Sequence, residues 1–316
     1  MIITLTANPS LDRTISLEGS LLPGEVQAAA SEREDAGGKG INVTRVVSAA
    51  GVASRAVLPL AVDDPFDTAL RAARVDTVRI PISGRARSNV TIADPAGVTT
   101  KLNLPGATLT EAEASAIIDA VVRESVGAHW LVLAGSLPPG AGDDFYVRVI
   151  EAVRAAQGKD APLIAVDTSG AALTAVVEHG TPDLIKPNDE ELADLVGTQI
   201  DATADGLAER VLDAARALVP SRVGAALVTL GAQGAVLVTA DGAWSAKPPK
   251  IRVQSTVGAG DSSLAGYLLA ESEGVDPAER LSRSIRYGAA AAALPGTQAP
   301  TPADLPAGEV TVTRLA

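Results

Sequence analysis

Short, nearly uninterrupted apolar runs alternate along this chain with longer stretches whose apolar positions recur at helical spacing. Ile2–Ala7, Trp130–Ala134, Leu163–Asp167, Leu184–Lys186 and Ala225–Thr229 read as strands. Their continuous apolar character is that of strands covered on both faces. Between them, Ile41–Ala50, Asp144–Gln157, Asp189–Leu195, Asp205–Leu218, Ser262–Glu271 and Arg280–Ala293 carry the helical pattern. Val236–Thr239 and Ala243–Ala246 read as a hairpin across Asp241-Gly242. Strands separated by helices predict an α/β fold with a mostly parallel sheet between two helical layers. In such sheets the ligand site lies at the C-terminal ends of the strands.

Two segments break this rhythm. Thr14–Glu34 and Arg87–Asn103 alternate apolar and polar residues, most clearly over Ser88–Ile92, and contain no helical pattern. They predict a small antiparallel sheet projecting from the main body. Such an appendage can cover a site, and its exposed face can pair with a second copy of the chain. There is no internal repeat, and the Ala-rich run Gly288–Ala293 reads as closely packed helix.

Composition narrows the functions open to this fold. The formal net charge of −12 argues against nucleic acid and against an anionic membrane surface as partners. With no cysteine, and with His129 and His179 the sole histidines, thiolate and His-rich metal sites and a cysteine nucleophile are excluded. The N-terminus lacks the basic start and length of a signal peptide. No apolar stretch is long enough to span a bilayer. These features lead to the expectation of a cytoplasmic protein.

The candidate chemistry sits in glycine-rich turns. Gly258-Ala259-Gly260-Asp261 opens a helical stretch. A helix start presents unpaired N–H groups and the positive end of the helix dipole, which suits a phosphoryl group. Asp261 beside such an anion makes sense as a base that takes a proton from an attacking hydroxyl; it could equally be an ordinary first-turn acid. Ala36-Gly37-Gly38-Lys39-Gly40 precedes another helix and lacks the spacing of a Walker loop. Asn8-Pro9-Ser10-Leu11-Asp12 follows the first strand. Asp12 there could accept sugar hydroxyls or close a local turn. Asn188 and Glu191 have capping-box spacing, and could instead orient water around Mg²⁺. Thr229-Leu230-Gly231-Ala232-Gln233-Gly234 makes a turn that can approach a triphosphate, or a plain turn between strands.

Taken in order, Gly37-Gly38-Lys39-Gly40, Asn188-x-x-Glu191, Thr229-Leu230-Gly231-x-x-Gly234 and Gly258-Ala259-Gly260-Asp261 resemble the PfkB, or ribokinase-like, family of carbohydrate kinases over nearly the whole chain. Asn8–Asp12, Arg87-Ser88-Asn89, Gly135–Gly140, Asp167–Ser169 and Lys247–Lys250 are most similar to the branch acting on phosphorylated ketohexoses, the 1-phosphofructokinases and tagatose-6-phosphate kinases. The resemblance implies a three-layer α/β/α sandwich in a single kinase domain over residues 1–316. Its small β-sheet lid would span about 12–36 and 85–104. The implied reaction is ATP-dependent phosphorylation of fructose 1-phosphate to fructose 1,6-bisphosphate. Tagatose 6-phosphate, an unphosphorylated sugar or a nucleoside is an alternative acceptor. A catalytically degenerate sugar-phosphate-binding protein is a further alternative.

The same resemblance implies roles. Asp261 would be the base, with Gly258, Ala259 and Gly260 forming the anion hole. Asp12, Gly37, Gly38, Lys39 and Asn42 would bind the sugar, and Lys39, Arg87, Asn89 and Ser136 its phosphate. Lys186, Asn188, Glu191, Thr229, Gly231 and Gly234 would face ATP, with Asn188 and Glu191 reaching Mg²⁺ through water. A homodimer through the lid is expected. One segment departs from the family: where a Gly-Gly-x-x-Gly loop is usual, Leu58–Asp67 has no glycine and brings in Asp63 and Asp64. Two acids there are expected to work against an anion.

Overall fold

The computed structural model describes residues 1–201 and 206–316. In chain order the strands are β1 (Ile2–Thr6), β2 (Ser10–Leu17), β3 (Ala29–Gly37), β4 (Ser54–Leu60), β5 (Thr77–Pro81), β6 (Arg87–Ala93), β7 (Thr99–Asn103), β8 (Trp130–Ala134), β9 (Leu163–Asp167), β10 (Leu184–Ile185), β11 (Ala225–Thr229), β12 (Ala235–Thr239), β13 (Gly242–Ala246) and β14 (Val312–Arg314). The α-helices are α1 (Lys39–Ala49), α2 (Phe66–Ala72), α3 (Glu111–Glu124), α4 (Phe145–Gln157), α5 (Gly170–Ala175), α6 (Asp189–Val196), α7 (Leu207–Arg216), α8 (Ala259–Ser272) and α9 (Pro277–Ala293).

Ten strands form one sheet in the order β14-β13-β12-β11-β10-β9-β8-β1-β4-β5. From β11 to β5 every pairing is parallel, and β12, β13 and β14 add an antiparallel edge. Alternate residues of one strand feed different layers. Ile3 and Leu5 pack with Ile117 and Val121 of α3 and Phe145 and Val149 of α4. Ile2, on the opposite face, packs with Val43 and Val47 of α1, Leu264 and Leu268 of α8 and Ile285 of α9. Beneath β10 to β12, α6 and α7 supply Leu192 and Val211. Because β4 lies on one side of β1 and β8 on the other, the strand order reverses at β1, and a crevice opens above it.

The expected strands and the hairpin β12–β13 are present within a residue or two. The helix expected over Asp205–Leu218 is α7 where described; its start at Asp205 lies outside the described residues. Three helices carried no expectation: α2, α3 and α5. For α3 a signal was available, since Thr110 and Glu113 close a full capping box. The small sheet has the order β3-β2-β6-β7. It is built from two antiparallel hairpins, but its central pair, β2 with β6, is parallel. Both hairpins leave the main body in the same direction, which dictates that sense. No helix among the described residues is long and apolar enough to cross a membrane.

Candidate active site

Helix α8 begins at Ala259, capped by Gly258 in the left-handed conformation with φ of 76° and offering no side chain to the exposed N–H groups. Glycine tolerates that geometry, and its lack of a side chain leaves the amides open. Asp261 lies in the first turn, 7% exposed. Its carboxylate does not close a capping turn; Oδ2 accepts a 2.8 Å hydrogen bond from Asn42 Nδ2 on α1. Burial, and next the charge of Asp167, push the Asp261 carboxyl up to about 6, against the pull of Lys39, Asn42 and Lys186. A base with that pKa is ionised at neutral pH and strong enough to accept a proton.

Asp167 ends β9 and is 1% exposed. It stands between two ammonium groups: Lys39 Nζ on Oδ1 at 2.7 Å and Lys186 Nζ beside Oδ2 at 3.0 Å. Burial alone would raise its pKa, but Lys186 and Lys39 overcome that and hold Asp167 below the usual carboxylate range. Burial also opposes charge on Lys39, yet Asp167, then Asp261 and Glu191, raise its pKa. Lys186 reaches the glycine turn itself, with Nζ 3.4 Å from where a Cβ on Gly260 would lie. The turn is therefore flanked by fixed positive charge. The sequence offered one hint of Asp167's place, an acid ending an otherwise apolar buried strand.

Asp12 lies on β2, beside Gly37 just before α1. Its Oδ1 accepts from Ser10 Oγ at 2.7 Å and Asn89 Nδ2 at 3.0 Å. Burial raises its pKa, against these bonds and the charge of Arg87. A Cβ on Gly37 would overlap the Asp12 carboxylate, so that position needs glycine for space. Gly38 caps α1, placing Lys39 in its first turn. Asn42 Oδ1, Asn89 Oδ1 and Arg87 Nε are buried without a hydrogen-bond partner in the protein. Unsatisfied polar atoms gathered around one crevice are what a polar ligand would satisfy. Ser136 is exposed in the loop after β8, whose Gly135 carbonyl is held by Tyr146 Oη and Thr168 Oγ1.

The third wall is a cavity of about 500 Å³ whose lining includes Thr229, Gly231, Gly234, Ile251, Ala259 and Gly260. Gly231, Ala232 and Gly234 of the turn after β11 line it. Asn188 and Glu191 form the complete capping box of α6: Glu191 N donates to Asn188 Oδ1 at 2.7 Å, and Asn188 N donates to Glu191 Oε2 at 2.9 Å. Among the described residues no cluster of His, Cys, Asp or Glu could hold a metal by itself.

In the departing segment the two acids are held in different ways. Asp63 sits in a left-handed turn, φ 61°, and Asp64 is buried. Asp64 Oδ1 accepts from Phe66 N at 3.0 Å, and Oδ2 from Ala86 N at 2.7 Å. The acid is spent on the start of α2 and on the residue before Arg87, so it fixes the entry of β6. Both oxygens of Asp64 are thus engaged by backbone amides of the chain itself.

A strand-reversal crevice flanked by a glycine turn, a buried carboxylate and two lysines is set in the α/β fold of the ribokinase-like sugar kinases. The sequence profile of the pfkB family of carbohydrate kinases matches residues 6–304. The chain is 36% identical over 319 residues to a 1-phosphofructokinase of Rhodobacter capsulatus, covering 99% of this chain and 96% of that one. It is 32% identical to the ATP-dependent 6-phosphofructokinase isozyme 2 of Escherichia coli, over 94% of each chain. The crystal structure of phosphofructokinase-2 from Escherichia coli in complex with substrates and products superposes with a TM-score of 0.85 at 30% identity over 96% of each chain. The chain belongs to the pfkB family of carbohydrate kinases and is a phosphotransferase acting on a sugar hydroxyl.

Proposed function

We propose that this kinase transfers the terminal phosphoryl group of ATP to the free primary hydroxyl of fructose 1-phosphate, giving fructose 1,6-bisphosphate. The observation that carries the reading is Asp261, a buried carboxylate left out of its own helix cap, bonded to Asn42 and following directly on Ala259 and Gly260, which line the cavity beside Gly231. In this reading Asp12, Gly37, Gly38 and Asn42 orient the ketose. Arg87, Asn89, Lys39 and Ser136 serve its existing phosphate, and β2, β3, β6 and β7 form the lid over it. Asp261 takes the proton of the attacking hydroxyl as its oxygen bonds to the transferred phosphorus and the bond to ADP breaks. That proton later passes to solvent. The amides of Gly258, Ala259 and Gly260, with Lys186, meet the charge on the transferred group. Lys186, Asn188, Glu191, Thr229, Gly231 and Gly234 face the nucleotide. Bound Mg²⁺ would neutralise phosphate charge, with Glu191 orienting one of its waters.

Fructose 6-phosphate is the competing acceptor, favoured by the relatives named 6-phosphofructokinase. Both acceptors lead to the same bisphosphate, so release of ADP must be compared acceptor by acceptor. The proposal expects the highest kcat/KM with fructose 1-phosphate over fructose 6-phosphate, tagatose 6-phosphate, ribose and adenosine. A preference for any other acceptor overturns it, and tight acceptor binding without turnover would support the degenerate binding protein.

The outer face of the lid supports a second copy as partner. Leu102, Val90 and Arg13 align across the strands, as do Ile92 and Ile15, on the face opposite Asp12 and Asn89. Leu102 is 55% exposed, and every residue of β7 is exposed. Sedimentation should give a dimer at micromolar concentration; a monomer removes this part of the reading.

A further inference from the structure

Asn8 has no part in the chemistry above, yet it is 6% exposed at the point where the chain leaves β1 for the lid. Its sequence setting, Asn8-Pro9, suggests a local turn. Its side chain does something else. Nδ2 donates to Pro105 O at 3.0 Å and to Leu137 O at 3.4 Å, partners 97 and 129 residues away. Pro105 lies just after β7, where the chain returns from the lid. Leu137 follows Ser136 in the loop after β8. Gly106 lies directly against the Asn8 amide, where a Cβ would overlap Oδ1.

The joint continues on either side of this amide. Leu109 N donates to Pro139 O at 2.8 Å, and a Cβ on Gly140 would overlap the Leu109 carbonyl. Residues 105–109 therefore run along residues 137–140. Arg87 Nη1, at the base of β6, donates to Leu104 O at 3.4 Å. One amide thus ties together the departure of the lid, its return, and the loop that carries Ser136.

We propose that Asn8 is a positioning residue that locks the lid and the Ser136 loop into one unit, so that acceptor binding on one is registered by the other. This rests on the phosphoketose reading above. Asn8 touches no reacting atom in that scheme; it acts through Ser136, Arg87 and the lid strands. The nucleotide cavity has no part in the joint.

The test compares Asn8→Asp, which keeps the shape but turns a carboxylate oxygen toward two carbonyls, with Asn8→Ala. Two hydrogen bonds are lost, so the KM for fructose 1-phosphate should rise about tenfold or more in both variants. The KM for ATP should stay within about twofold, because nothing on that side is bonded to Asn8. Amide exchange in the unliganded protein should quicken about tenfold at Leu109 and remain unchanged at Leu131 in the core of β8. An unchanged acceptor KM with a lowered melting temperature, or equal rises in both KM values, overturns the proposal. If the wild-type protein turns over no phosphoketose, the functional reading fails. The exchange measurement then decides the joint separately, and equal exchange at Leu109 in wild type and variants sinks it.

Discussion

Helices α6 and α8 start alike, each with an acid at the third position: Glu191 in one, Asp261 in the other. Each acid sits where the helix dipole favours negative charge. Their carboxylates find different partners. Asn188 exchanges hydrogen bonds with Glu191, so one oxygen of that carboxylate is committed to local structure. Gly258 offers no side-chain acceptor to the Asp261 N–H, and the Asp261 carboxylate accepts instead from Asn42, a residue 219 positions away in sequence. A first-turn carboxylate is thus engaged in its own cap or left to distant partners according to whether its own helix uses it. Burial then separates them further, since Asp261 is desolvated and raised while Glu191 is half-buried.

The strongest challenge to this contrast is Asp261→Asn. It keeps the shape and the Asn42 contact region but removes the base, so kcat should fall by about 10³-fold, measured as ADP release at saturating substrates. A loss below tenfold would mean that Asp261 is only a helix-start acid. The pH profile sharpens the point. The wild-type kcat/KM should fall about tenfold per pH unit below about 6, as Asp261 protonates. Stability should move the other way. A carboxyl raised from 3.8 to about 6 contributes stability that is full below 3.8 and lost as pH rises through 6. Asp261→Asn should therefore melt higher than the wild type at pH 7.5, with the gain gone at pH 4. A lower melting temperature at pH 7.5 would contradict the assigned electrostatics.

A smaller loss is expected from Asp167→Asn. Removing one member of a buried charge array leaves Lys186 uncompensated, at a cost of about 3 kcal/mol in urea unfolding. Without the Asp167 charge, the repulsion on Asp261 ends and the acid limb of the pH profile should move to lower pH. An unmoved limb would show that Asp167 does not act on the base.

The mildest variant probes the other helix. Glu191→Gln retains an acceptor for the Asn188 amide and loses only the first-turn charge, worth ~0.5 kcal/mol. If Glu191 also orients a magnesium-bound water, the Mg²⁺ concentration for half-maximal rate should rise about tenfold. An unchanged Mg²⁺ dependence would confine Glu191 to its capping box.

Much of this was written in the local order of residues. Continuous apolar runs fixed the parallel strands because such a strand must be covered on both faces, and Gly258–Asp261 marked a helix start open to an anion. The amphipathic α3 was missed although Thr110 and Glu113 announce it, and α2 and α5 are too short to build a periodic signal. The joining of β2 to β6 in parallel could not be read locally, since strand sense depends on where each hairpin leaves the main body.

By itself, then, the sequence determined the α/β layering, the glycine turns and the residue types able to bind a phosphosugar and a nucleotide. Periodicity and backbone freedom are properties of neighbouring residues. Only the tertiary structure decided which acid is spent and which is kept. It turned Asp64 to backbone amides, closed Glu191 onto Asn188, set Asp167 between Lys39 and Lys186, and joined Asp261 to Asn42. The charge state and availability of a carboxylate depend on burial and on partners brought from distant segments, and those exist only once the chain has folded.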